Sequence, residues 1–578
     1  MIRLRRFLKG YELQLTIGPL CKLIEAIFEL LIPLITADII DNGVRNGDIG
    51  YVLQKGGLMI LLGVLGLAFA LVCQKSASIA SQGFGTKVRN AMFRHINTLS
   101  HNELDLLGTP SLITRMTNDI NRLQLAVAML IRLVIRAPFL VIGALIMSML
   151  ISLKMSLIFL SAAILIALIL FIIMKTSVPF FKGIQKKLDS VSLISRENLS
   201  GNRVIRAFGR QKNDEQRFEK SNEELTKIAL KTGRLSSLLN PLTYVIAQAA
   251  IIAVVWFGGK LVDFGELKTG EIIALVNYMT QILLAMIVVS NLVVIFTNAA
   301  ASASRVNEVF DTKPSVTDRE ECADVISDDH APQIEFQNVS FGYAGSRYAL
   351  KDISFSVKKG ETLGIIGGTG SGKSTLVNLI PRFYDTTNGS VLIGGTDVKA
   401  YPMHQFRSKI GVVPQKAELF SGTIKENMRW GKRDASDDEI ETALKISQSY
   451  EFVSKLPDFT NTRLSAGGKN LSGGQRQRLT IARALVGKPE ILILDDSASA
   501  LDFATDAALR QALYKETDDM TVIMVSQRVG TIRSADNILV LEGGEMAGFG
   551  THEELFKTCE VYKEICLSQL KEEEVQQA

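Results

Sequence analysis

Before residue 310 the chain runs in long apolar stretches interrupted by short charged ones. After Ile334 the pattern changes to short apolar runs separated by turns and helices. The first part predicts six membrane-spanning helices. The second lies between Lys55 and Lys75, the third between Arg136 and Lys154, and the fourth between Lys154 and Lys175. The fifth lies between Arg234 and Lys260, and the sixth between Glu271 and Arg305. Each is charge-free over the roughly 20 residues that a bilayer core requires, or nearly so. The first, residues 13–37, is apolar overall but carries Lys22, Glu25 and Glu29. Pairs at three- and four-residue spacing neutralise one another on one helix face, and charges at membrane depth face a bundle interior or a water-filled cavity. Two readings stand for this helix: a polar lining of a substrate path, or a helix end that projects into water.

Loop charge sets the expected topology. Arg3, Arg5, Arg6 and Lys9 make a basic lead-in without the short apolar core and small-residue cleavage site of a removable signal. The loop from Lys75 to Arg136 carries Lys87, Arg89, Arg94, Arg115 and Arg122, and that from Lys175 to Arg234 is equally basic. The connections near 38–55, at Lys154 and at 260–271 are short and mixed. Both termini and the two long loops are therefore expected in the cytoplasm. Residues 180–234 alternate charged and apolar groups at helical spacing, so the spanning helices are expected to continue into the cytoplasm and to reverse near Leu107–Ser111 and Arg206–Lys212. These turns read either as docking points for a cytoplasmic domain or as parts of plain solvated basic helices.

Residues 311–333, with Pro314, Pro332 and a cluster of acids, read as a linker. The expected division is 1–310 membrane domain, 311–333 linker, 334–570 α/β domain and 571–578 polar tail. Within the α/β part, an apolar run ending at Ile366 leads into Gly367-Gly368-Thr369-Gly370-Ser371-Gly372-Lys373-Ser374-Thr375, and a helical run follows. Strand, glycine-rich loop and helix in that order form a phosphate cradle, the mark of a P-loop NTPase fold. Loop N–H groups point at one anion and the helix N-terminus adds partial positive charge. Lys373 is placed to reach the β- and γ-phosphates, and Ser374 to ligate Mg²⁺. Ile491 to Asp495 reads as a buried parallel strand delivering Asp495 to the metal, followed at once by Asp496. Gln415 is a candidate sensor of the γ-phosphate or metal. Tyr343 is a candidate platform for a purine ring or an ordinary strand aromatic. Ser472, Gly473, Gly474 and Gln475 open a second helix of phosphate-binding type. Two such cradles with one metal-binding strand suggest a head-to-tail dimer in which each ATP is clamped between two domains.

The net charge of +5 over 578 residues implies no nucleic-acid surface. Cys21, Cys73, Cys322, Cys559 and Cys566 form neither a metal-type pair nor a disulfide array.

Taken together these motifs resemble the ATP-binding-cassette exporter family over nearly the whole chain. The resemblance implies Walker A at Gly367–Thr375, a Q-loop at Gln415, a signature at Leu471–Gln475, Walker B at Ile491–Asp495, and a loop Ser499–Asp502 in which Asp502 belongs to the nucleotide site. It assigns Tyr343 to adenine stacking. It also matches Ser111–Arg115 with Asn118 and Asp119 to the first intracellular loop, and Glu197, Gly201, Arg203, Ala207 and Phe208 to the second, whose tips dock on the nucleotide domains in the family.

Three positions depart from the pattern. Where the family has a catalytic glutamate after Walker B, this chain has Asp496. Where it has a switch histidine, this chain has Gln527. Ala466 stands where a glutamate usually precedes the signature. Aspartate is one methylene shorter than glutamate, and a misplacement of about 1 Å can cost on the order of 10²-fold in rate. Glutamine can hydrogen-bond a phosphate but cannot accept the proton as histidine does. The expected protein is therefore one half of a heterodimeric multidrug exporter of the bacterial inner membrane, using ATP and Mg²⁺. Its own site is slow, and its intact signature serves a partner half-transporter that carries the glutamate and histidine. The expected substrate is an amphipathic small molecule. A lipid or lipid-linked-precursor flippase, or a nucleotide-gated regulator that seldom hydrolyses ATP, are the alternatives. No peptidase-like extension precedes residue 13, which speaks against a processing peptide exporter. Asn277, Tyr278, Gln281, Asn291 and Asn298 read either as cavity lining or as helix–helix contacts.

Overall fold

The computed structural model describes residues 2–318, 331–343, 348–516 and 519–569. Most of the expected linker, Cys322 and the expected tail 571–578 lie outside the described residues. The chain forms two compact units: Met1–Asn97 with Pro110–Asp311, and Thr98–Thr109 with Thr312–Ala578. The division differs from the sequence expectation at 98–109, which belong with the second unit.

The first unit is helical. Its helices are α1 (Glu12–Asp38) and α2 (Ile49–Ile96), then, beyond α3 (His101–Leu107) of the second unit, α4 (Thr109–Thr114), α5 (Ile120–Arg132) and α6 (Arg136–Ile151). They continue with α7 (Leu153–Ala207), α8 (Gln211–Ser237), α9 (Leu239–Asp263) and α10 (Thr269–Asp311). Among the described residues five helical stretches are long and apolar enough to cross a membrane: Ile49–Ile96, Thr109–Ile151, Leu153–Ser177, Gln211–Asp263 and Thr269–Asp311. Helix α1 is not among them, because its charges interrupt every apolar window. Those charges are paired. Lys22 meets Glu25 at 2.6 Å one turn away, and Glu29 meets Arg136 of α6 at 2.6 Å.

At 1.5 Å per residue the 55 residues of α7 extend roughly 80 Å, more than twice the hydrocarbon thickness of about 30 Å. The helix thus continues well beyond the length a bilayer needs, and α7 turns into α8 at Gly209, whose φ of +62° suits glycine. Lys187 of α7 and Glu224 of α8 join the two at 2.6 Å.

The core of this unit is built around α10. Leu275, Tyr278, Met279 and Ile282 are fully buried against α1, α7 and α9. The Tyr278 hydroxyl donates to the Leu30 carbonyl at 2.7 Å, and the Gln281 amide donates to the Glu29 carbonyl at 3.2 Å. Both side chains therefore bind helix to helix. Asn277, Asn291 and Asn298 are exposed. At the start of α10 the backbones touch. Gly270 N–H donates to the buried Asp41 carboxylate at 2.7 Å, and a Cβ on Gly270 would lie 2.3 Å from the Ala37 carbonyl oxygen. Further along α10, the buried Asp119 carboxylate takes hydrogen bonds from Ser302 at 2.9 Å and from the Arg305 Nε at 2.8 Å. Asp119 ends a π-helical turn, Arg115–Asp119.

The second unit is α/β. Its six-stranded sheet has the order Glu545–Gly550, Asn537–Glu542, Thr362–Gly367, Thr521–Val525, Ile491–Asp495, Ile410–Val413. All neighbours are parallel except the first pair. An antiparallel four-stranded sheet, beginning with Ile334–Phe341 and Leu350–Val357, covers one side through a core that includes Phe336, Phe355 and Leu376. Parallel strands are covered on both faces and so read as unbroken apolar runs, as Ile491–Leu494 does.

Helix α3 packs on this unit. The His101 ring stacks on Phe383 at 4.5 Å, and the Tyr384 hydroxyl donates to Asp105 at 3.0 Å. A capping box between Ser100 and Glu103 starts the helix, and Gly108 ends it at φ +72°. The helix that leads into the first expected turn is therefore part of the second unit.

Two outcomes follow from this packing. Gly270→Ala is expected to cost about 1–3 kcal/mol by overpacking against the Ala37 carbonyl, seen as a lower melting temperature in detergent; an unchanged melting temperature would contradict the close approach. Burial, with the Arg407 charge adding to it, holds the His101 imidazole below its ordinary range, and Asp105 partly opposes them. A histidine held below its free value of about 6.5 resists protonation when docked, so the docking is complete above that pH and weakens below it. Hydrogen-exchange protection of residues 98–109 should fall between pH 7.5 and 5.5 in the wild type and stay level in His101→Phe.

Candidate nucleotide site

The site follows from strand direction. Four parallel strands end at the same edge of the sheet, where Gly367, Asp495 and Val525 carry the chain outward and Val413 leads to Gln415. The loop after Gly367 then turns back over that edge. Gly370 and Gly372 have φ of +81° and +98°, and a Cβ on Gly372 would meet the Leu350 side chain at 2.7 Å and the Ala349 carbonyl at 2.9 Å. Glycine is required there both by conformation and by space.

Lys373 opens the helix Lys373–Leu379 and is buried. Its ammonium donates to the Gly367 and Gly368 carbonyls at 2.8 and 2.7 Å. Burial lowers its pKa, while the charges of Asp496 and Asp495 oppose that shift. The Ser374 hydroxyl donates to Asp495 at 3.1 Å. Burial raises the Asp495 pKa and the neighbouring Asp496 adds to it, while the Ser374 bond and Lys373 oppose. A hydroxyl and a carboxylate turned to each other are hard oxygen donors suited to Mg²⁺, which takes few protein ligands and completes its shell with phosphate oxygens and water. Bound there, Mg²⁺ would offset the negative charge of the phosphates. Ser374 and Asp495 would hold the ion, Lys373 the phosphates, and the N–H groups of Gly368 to Thr375 the cradle.

Gln415 donates from Nε2 to Asp496 Oδ2 at 3.1 Å. The structure thus joins the candidate phosphate sensor to the residue standing in the glutamate's place. Asp496 has φ of +46°, a left-handed conformation that non-glycine residues seldom adopt, although aspartate is among those that do so most. Such strain concentrates at functional sites. Its backbone is held by Val525, whose carbonyl accepts the Asp496 N–H at 3.0 Å.

The Tyr343 hydroxyl shares a hydrogen bond with Thr375 at 3.1 Å, so the ring stands beside the loop. It meets Tyr384 edge-on at 5.3 Å. Tyr384 therefore touches both the candidate adenine platform and Asp105 of α3, a link that no spacing in the sequence announces.

The second cradle is formed. Ser472 caps the helix Gly473–Leu485 in a capping box with Gln475. Among the described residues no hydrogen bond joins Ser472–Gln475 to the loop Gly367–Thr375. Asp502 accepts from the N–H and hydroxyl of Thr505 at 2.8 and 3.1 Å, so its carboxylate caps the helix Phe503–Glu516. Gln527 is exposed in the turn after Val525.

Comparison with known proteins agrees with this geometry. Residues 15–286 match the family described as ABC transporter transmembrane region, and residues 350–499 the family described as ABC transporter. The uncharacterized ABC transporter ATP-binding protein YfiB of Bacillus subtilis (strain 168) is 39% identical over 97% of each chain. The ATP-dependent lipid A-core flippase of Desulfotalea psychrophila (strain LSv54 / DSM 12343) is 33% identical over 90% of each. A probable multidrug resistance ABC transporter ATP-binding/permease protein of B. subtilis, YheI, is 32% identical over 96% of this chain and 95% of its own. The structure of a bacterial Atm1-family ABC exporter with ATP bound superposes with a TM-score of 0.79 at 24% identity, covering 98% of this chain and 99% of that one, which shows a shared fold. With a helical membrane unit, a glycine-rich phosphate loop and these family matches in one chain, this protein belongs to the ABC transporter family and is an ATP-hydrolysing membrane translocase.

Proposed function

We propose that this chain is one half of a heterodimeric exporter that uses ATP to move amphipathic compounds out across the bacterial inner membrane. The observation that carries this reading is the pair Gln415–Asp496. The carboxylate next to the metal-facing acid is short and is already engaged by the sensor glutamine. Together with Gln527 it makes a site that retains its phosphate-binding groups and lacks the long base and the imidazole. Ser472 to Gln475 complete the catalytic site of a second half-transporter, which supplies the glutamate and histidine.

In the same reading α1 is the sixth span. Support comes from its 27 residues and from the pairing of Lys22 with Glu25 and of Glu29 with Arg136, which removes the main cost of holding charge at depth. The basic loops support a cytoplasmic side for both termini and the nucleotide unit. The multidrug name of the YheI relative supports an amphipathic cargo. The flippase name of the Desulfotalea relative favours a second reading, a lipid substrate. Vesicle transport of a labelled lipid against a cationic dye separates the two.

In a complex whose partner site has been inactivated, Asp496→Glu combined with Gln527→His is expected to raise ATP turnover at this site, by on the order of 10²-fold if the displaced carboxylate is the main defect. No gain would sink the degenerate-site reading, and a native complex containing only this chain would sink the heterodimer.

A further inference from the structure

The switch residue Gln527 lies in the turn between the strand Thr521–Val525 and the short helix Val529–Ile532. One distant side chain grips that turn. Gln569 donates from Nε2 to the Gln527 carbonyl at 2.7 Å, and its Oε1 accepts the Val529 N–H at 2.9 Å. A primary amide presents a donor and an acceptor side by side, so it can pair with a carbonyl and an N–H two residues apart.

Gln569 ends the helix Glu560–Gln569, whose Tyr562 and Cys566 are fully buried. Spacings of four and then three residues put all three side chains on one face. Tyr562 also meets His552 Nδ1 through its hydroxyl at 2.7 Å, so the helix is anchored and its last turn is aimed at the switch. The Arg528 guanidinium lies 5.2 Å from the centre of the Phe503 ring, which follows Asp502 directly. The turn is thus held by Phe503 and by Gln569.

We propose that Gln569 is a positioning residue for the nucleotide site. By fixing the Gln527 carbonyl and the Val529 N–H, it sets the backbone from which the Gln527 side chain reaches the γ-phosphate. The last helix thereby becomes part of the ATP site without touching ATP. This inference concerns the chain's own switch turn and holds for a heterodimer and for a homodimer alike.

The test uses the full-length chain in lipid vesicles with whatever partner it assembles with. Photolabelling with 8-azido-ATP, followed by separation of the chains, reads the nucleotide retained on this chain during a chase with unlabelled ATP. Gln569→Ala is expected to speed the loss about tenfold, as befits two hydrogen bonds, and Gln527→Ala to do the same. In the double variant Gln569→Ala should add less than about twofold, since a residue that acts through another has nothing left to act on. Equal effects of Gln569→Ala with and without the Gln527 side chain would overturn the proposal, as would no effect of either. If Gln569→Ala fails to fold, Gln569→Glu serves. Its carboxylate accepts from Val529 but repels the Gln527 carbonyl, and it gains a donor only when protonated. Retention should then recover toward wild type as pH falls from 8 toward about 5; a ratio to wild type that is flat with pH would overturn the proposal.

Discussion

Parallel pairing sets Ile365, Val525 and Asp495 in one row across three strands, with Val413 beside Leu494 in the next. Each of these strands leaves the sheet within a residue or two of that row, so the glycine-rich loop, Asp495, the turn with Gln527 and the segment with Gln415 emerge on one edge. No side chain at the site would be in place without this alignment. A slip of one residue in the strand Ile491–Asp495 would turn Asp495 to the opposite face of the sheet and leave Ser374 without its partner. The apolar runs that hold the register are therefore as much a part of the nucleotide site as the polar residues at their ends.

Burial acts on the two charged groups at that edge in opposite directions. It pushes the Lys373 ammonium toward losing its proton and the Asp495 carboxyl toward keeping one. Both shifts measure solvation that the sheet edge does not supply. A polyphosphate with Mg²⁺ would supply it in matched form, anion to the lysine and cation to the aspartate. The same desolvation that makes the charges costly makes their interaction with nucleotide strong.

Much of the nucleotide site is legible in the sequence because its residues are contiguous and each glycine or hydroxyl has a local geometric reason. Strand order is not legible, since nothing in Thr521–Val525 says that it lies between the other two. The helix reversals can be read from Gly108 with Pro110 and from Gly209. The pair Lys22–Glu25 can be read from its spacing, whereas Glu29–Arg136 depends on how two helices pack. In the sequence Tyr278 and Gln281 read equally as cavity lining or helix contact, and only their bonds to the Leu30 and Glu29 carbonyls mark them as contacts. Asp502, which the resemblance assigns to the nucleotide, spends both carboxylate oxygens on Thr505. Gln569 belongs to no motif, because its role lies in reaching the backbone of another segment.

The pair Glu29–Arg136 also bears on how the protein is made. The two partners are separated by 107 residues, and the acid comes first. As the chain leaves the ribosome, α1 emerges with Lys22 and Glu25 already able to neutralise each other, but with Glu29 uncompensated until α6 has been synthesised. The later apolar stretches can each enter lipid on their own composition. In the six-span arrangement the ion pair of α1 is then completed only when α6 has emerged, so the first span to be translated waits for the third.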